Sequence, residues 1–288
     1  MVCQLAFFVE SSIIGFMGQI FAKFFWRKVA LERLALVAVG LLLIGWLLNT
    51  PAGLLGKADA VGYAVCHRID GRSFHLGDRQ IPLCARCTGM YLGAILALAY
   101  QHWIGRRRAG APPARVIIVV AGLALGFVVD GLNSYLSLFP GFPGLYEPRN
   151  WLRLLTGSGM GVAISAALYP AFNQTVWRQV DNRPTLPGLR VLAGLLIAVG
   201  GVDVIVLSEN PLLLYPLALA SAAGVLVLLS IVYSMVWVMV LNTENQSVIL
   251  RELWFPLLAG FGSALLQIVL LDIGRYLLTG TWDGFHIG

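Results

Sequence analysis

Apolar residues run along this chain in long blocks, with polar residues gathered in the short gaps between them. Seven blocks stand out, near 32–51, 86–105, 114–138, 152–173, 188–208, 212–241 and 253–279. A helix that crosses a bilayer needs roughly 20 apolar residues, and each block approaches that length. Backbone amides cannot go unpaired in lipid, so the blocks predict helices. The alternating pattern of a membrane β-barrel is absent. Residues 188–241 look at first like one helix, but Glu209-Asn210-Pro211 divides them, because proline ends a helix and the charge prefers water. The seventh block holds Gln267 and Asp272, which leaves its far end undefined. Upstream, Ile13, Ile14, Met17, Ile20, Phe21, Phe24 and Phe25 recur at helical spacing ahead of Trp26, Arg27 and Lys28. That pattern predicts an amphipathic helix lying in the membrane interface, and the positive charges follow the apolar stretch, unlike a signal peptide.

The predicted fold is therefore an all-α polytopic bundle of about seven spans, preceded by an interfacial segment over 1–30. Membrane helices one to four occupy 31–178, with a polar loop at 52–88, and helices five to seven occupy 179–288. Composition agrees: 58% of the 288 residues are apolar and 12% charged, against about 25% charged in soluble domains. The net charge of +6 does not predict nucleic-acid binding, since the basic residues sit in short loops. Seven spans place twelve Lys and Arg on one side and eight on the other. Arg106-Arg107-Arg108 is the strongest anchor of the richer side. Basic loops face the cytoplasm, which predicts a cytoplasmic N-terminus and an exterior or periplasmic 52–88 loop.

That loop holds three of the four cysteines, in Cys66-His67 and Cys84-x-x-Cys87; Cys3 stands apart. Free thiols outside the cell tend to oxidise, so such a trio suits a metal, a disulfide or redox exchange. Pro82 suits the first turn of a helix, which places Cys84 and Cys87 where the positive end of the dipole favours thiolate. Arg86 adds to that field. A CxxC pair plus Cys66 provides three ligands for a tetrahedral zinc ion, and His67 or His75 would be the fourth. The order of residues is not that of covalent haem attachment.

Residues 66–93 resemble an uncharacterised membrane-protein family, the domain of unknown function 2085, in Cys66-His67, Arg72-Ser73-Phe74 and the run Pro82 to Gly93. Asp130 and the stretch Asn150, Arg153, Thr156, Gly157 are similar to it as well. The resemblance implies that Cys66, His67, Cys84 and Cys87 belong together, which favours His67 over His75. It implies no reaction.

Asp130 lies inside an apolar block, and an acid at that depth needs a partner; Arg86 and Arg153 are the candidates. Gly157, Gly159 and Gly161 predict close helix packing. No phosphate loop, nucleophile elbow or zincin helix is present. The leading expectation is a non-enzymatic membrane protein with a structural zinc loop, embedded in the lipid bilayer as an accessory subunit beside other membrane subunits. A membrane thiol-disulfide oxidoreductase or metal-dependent enzyme built on Cys84 and Cys87 is the alternative, and a small transporter using Asp130 the next.

Overall fold

The computed structural model describes residues 30–137, 139, 141 and 144–282; the predicted interfacial segment, Cys3 and His286 lie outside them. All seven apolar blocks form helices. They are α1 (Ala30–Asn49), α3 (Ala85–Ile104), α4 (Ala114–Leu136), α5 (Asn150–Val176), α6 (Leu189–Leu207), α7 (Pro211–Val240) and α8 (Trp254–Thr279), and α2 (Gly53–Val65) precedes α3. Between α2 and α3 a two-residue hairpin pairs β1 (His75–Leu76) with β2 (Arg79–Gln80), turning at Gly77, whose φ of 64° is glycine's preserve. At the other end, β3 (Arg108–Gly110) runs parallel to β4 (Asp181–Pro184).

The break between α6 and α7 falls where the sequence places it. Glu209 takes a positive φ, the Asn210 side chain accepts from Leu212 N at 3.0 Å, and Pro211 opens α7.

Six helices among the described residues are long and apolar enough to span a membrane, and α3 is not one of them. This adjusts the count of seven, and packing explains it. α3 is 20 residues long, but it sits inside the bundle against α5 and α7. Its Thr88 and Gln101 are buried on protein and hydrogen-bonded there, so α3 does not need a lipid-facing apolar surface.

The α3–α5 contact is the most extensive among the described helices. Glycines on each helix lie against the main chain of the other. A methyl group on Gly157 would overlap Arg86 O, one on Gly161 would overlap Met90 O, and one on Gly89 would overlap Leu154 O. Gly93 likewise lies on the Ser158 backbone. Each obstacle is main chain, which can move only with its helix. Gly159 points elsewhere, toward Leu123 of α4. Gly157→Ala should therefore cost about 1–3 kcal/mol, the usual cost of overpacking. Thermal unfolding of the detergent-purified protein measures it, with Gly122→Ala, which meets open space, as the unaffected control.

Candidate metal centre and its arginine surround

Three chain segments bring the cysteines together. α2 ends at Cys66, whose N–H bonds Gly62 O at 2.8 Å. Gly62 has no side chain, so the end of α2 lies directly on Pro82 O of the segment leading into α3. Ile81 and Leu83 fix that segment by full burial. Cys84 is then the N-cap of α3, and Cys87 lies in its first turn. The three sulfurs lie within 4.8 Å of one another, and all three cysteines are free. Cys84 N donates to Cys66 Sγ at 3.3 Å, an amide contact that favours thiolate.

Cys66 and Cys84 are 6% and 3% exposed, while Cys87 is partly open. The Cys84 and Cys87 thiols hydrogen-bond Cys66 and draw its pKa well below the ordinary thiol range. The hydrogen bond to Cys66 in turn pushes Cys84 up to about 12. The trio thus shares one negative charge readily, and a cation would be needed to hold all three as thiolates.

His67 is outside the sulfur group. Its Nδ1 accepts from Ile69 N at 3.1 Å, and burial pushes its imidazole below the usual value, so the ring is neutral. With Nδ1 engaged, the proton sits on Nε2, and the ring must turn to offer a lone pair to a metal. His75 is further from the role: its Nε2 lies 2.8 Å from Asp70 Oδ1, on the hairpin.

Arg86 and Asp130 meet. Arg86 Nε donates to Asp130 Oδ2 at 3.1 Å, and Nη2 reaches the same carboxylate and Ser134 Oγ. Tyr146 OH donates to Asp130 Oδ1 at 2.9 Å, and Thr156 Oγ1 to Oδ2 at 3.3 Å. Arg153 is not in that pair. It donates Nη1 to Asn150 Oδ1 at 2.8 Å, and Asn150 Nδ2 in turn bonds Gly71 O and Ser73 O.

Two further arginines contribute, of which Arg275 has no local signal in the sequence. Arg275, from α8, donates to Tyr63 O and Cys66 O at 2.6 Å and lies over the Tyr63 ring. It satisfies the carbonyls left over at the end of α2. Arg72 donates to Ser134 O at 3.2 Å and brings the loop against α4.

A family model described as "Predicted membrane protein (DUF2085)" matches residues 66–167. An uncharacterized protein of Methanothermobacter thermautotrophicus is 32% identical over 102 residues, covering 35% of this chain and 82% of the relative. One from Methanocaldococcus jannaschii is 26% identical over 120 residues, 42% of this chain and 71% of the relative. No solved structure matches significantly. The family match opens on Cys66 and closes within α5, so it holds the three cysteines, Arg86, Asp130 and Arg153 but not Arg275.

Proposed function

The chain belongs to the DUF2085 family of predicted membrane proteins, and we propose that it is a multi-pass protein whose Cys66, Cys84 and Cys87 thiolates hold one structural zinc ion, with His67 turning in as fourth ligand. The observation that supports this is the packing of three sulfurs, those of Cys66 and Cys84 on buried residues, at one helix N-terminus. Zn–S bonds of about 2.3 Å suit such a cluster. The ion would staple the end of α2 and the polar loop to the start of α3, and it would not turn over substrate. The burial of Cys66 and Cys84 leaves only the partly open Cys87 for a partner thiol to reach, which favours ligation over disulfide exchange. Asp130, held by Arg86, Tyr146 and Thr156 and 1% exposed, is better suited to clamping helices than to carrying protons through a transporter.

Counted with α3 crossing inside the bundle as a seventh helix, the basic residues support a cytoplasmic N-terminus and an exterior metal loop. In this reading the protein is an accessory subunit of a membrane assembly. Only 6% of the apolar stretch of α1 is buried within the described residues, which leaves that helix for lipid or a neighbouring subunit. The test is metal analysis with thiol counting on the full-length protein. One zinc per chain, with the three thiols unreactive until a chelator is added, is expected. Metal-free protein whose Cys84 and Cys87 cycle reversibly between dithiol and disulfide overturns the proposal.

A further inference from the structure

Beside the cysteine cluster the structure gathers more positive charge than it neutralises. Arg72 and Arg86 both reach Ser134, one at its carbonyl and one at its hydroxyl. Arg153 stands one helical turn from Thr156, which touches Asp130, and its Asn150 partner holds the backbone on either side of Arg72. Three guanidiniums therefore converge from the loop, α3 and α5, with Asp130 as the single carboxylate among them.

The nearby acids are committed elsewhere. Asp59 pairs with Arg68 and Arg79, Asp70 with His75, and Glu147 with Arg149. Arg153 is the least satisfied of the three. It is 6% exposed, its hydrogen bond is to a neutral amide, and its buried Nε has no acceptor. A buried guanidinium without a counter-charge is costly, and the cost falls when an anion arrives. The N-termini of α3 and α5 add partial positive charge here, with no acid in either first turn. Arg72 is only half buried, so the cluster opens to the polar loop. A zinc ion on three thiolates and a neutral histidine carries a net charge of −1, which offsets only half of the arginine excess.

We propose that Arg72, Arg86 and Arg153 form a binding site for a phosphate group beside the cysteine cluster. Guanidinium forks match phosphate oxygens, and three of them converging beside one another suit an anion with several oxygens better than a lone carboxylate. The phosphate can belong to a soluble phosphate compound or to a lipid headgroup. The site stands on the arginines and needs no metal.

The test uses the full chain, delipidated in a neutral detergent, with inorganic phosphate as the soluble probe and native mass spectrometry for retained phospholipid. Arg153→Gln and Arg72→Gln are compared with wild type and with Arg183→Gln, an exposed residue at the other end of the molecule. Saturable phosphate binding that weakens about tenfold or more in both variants, but not in Arg183→Gln, supports a soluble ligand. Failure to bind free phosphate, with one phospholipid retained by wild type and lost from both variants, supports a headgroup. If wild type takes up neither, or both variants bind as wild type does, the proposal is overturned. Should Arg153→Gln fail to fold, Arg72→Gln decides alone, because its side chain lies in a loop. Zinc content measured on the same samples separates this outcome from failure of the metal reading.

Discussion

Replacing Cys84 by serine should leave a folded bundle that no longer retains its metal. Cys84 caps α3, donates its N–H to Cys66 Sγ, and supplies one of three sulfurs within 4.8 Å. A serine hydroxyl occupies the same place but does not ionise at neutral pH and is a poor zinc ligand. Changes in the outer shell of a zinc site alone cost roughly 10- to 100-fold in affinity, so loss of a ligand should exceed about 100-fold. Zinc per chain should drop from one to a small fraction after dialysis against a mild chelator. The helices do not depend on the ion as a zinc finger does, since α3 is fixed by α5 through Gly89, Gly93, Gly157 and Gly161. Helical content should therefore survive, while limited proteolysis of the 67–80 loop accelerates. Zinc retention in wild type should also fall on acidification. The metal-free Cys84 thiol is pushed up to about 12, so binding must displace protons, and affinity declines as pH drops. A variant that keeps its zinc, or a wild type that holds it equally at pH 5 and pH 8, would refute the assignment of Cys84 as a ligand.

The sequence is most legible where one local rule decides the outcome. Run length and hydropathy place seven helices, and Asn210-Pro211 marks the division of α6 from α7 because capping chemistry is local. The trio Cys66, Cys84 and Cys87 is legible too, since spacing and Pro82 together put two thiols at a helix start. The pairing of Arg86 with Asp130 follows from the cost of an unpaired acid at depth. What escapes is set by long-range packing. α2 carries Lys57, Asp59 and three glycines and resembles a loop; burial of Tyr63 and contacts with α7 and α8 make it a helix. Nothing near Arg275 announces that it will hold Cys66 O, 209 residues earlier in the chain. Arg153 is a natural partner for Asp130 by position, yet Tyr146 and Thr156 fill the carboxylate and Arg153 goes to Asn150. His67 is beside Cys66 in sequence, but the backbone turn at Arg68, with φ of 51°, directs its ring to Ile69 N.

Asp130→Ala should be the most damaging change away from the sulfurs, at about 3–5 kcal/mol of stability. The carboxylate is 1% exposed and accepts from Arg86, Tyr146 and Thr156, which joins α3, α4, α5 and the 144–149 segment at one point. Removing it leaves Arg86 among Arg72 and Arg153 with no carboxylate nearby, and strands the Tyr146 and Thr156 hydroxyls. Asp130→Asn keeps an acceptor without the charge and should fall between alanine and wild type. The pair's contribution separates from the cost of an orphaned charge in a double-mutant cycle with Arg86→Met. A buried ion pair replaced on both sides by apolar groups is often near neutral. The double variant should thus recover part of the loss seen in Asp130→Ala, as measured by unfolding of the purified protein in micelles. Arg86 lies between Cys84 and Cys87, so Asp130→Ala should also make the thiols more reactive. If stability falls while thiol reactivity stays at the wild-type level, the ion pair braces the helices without positioning the sulfurs. If neither changes, Asp130 does not anchor the site, and the expectation of a helix clamp at that depth fails with it.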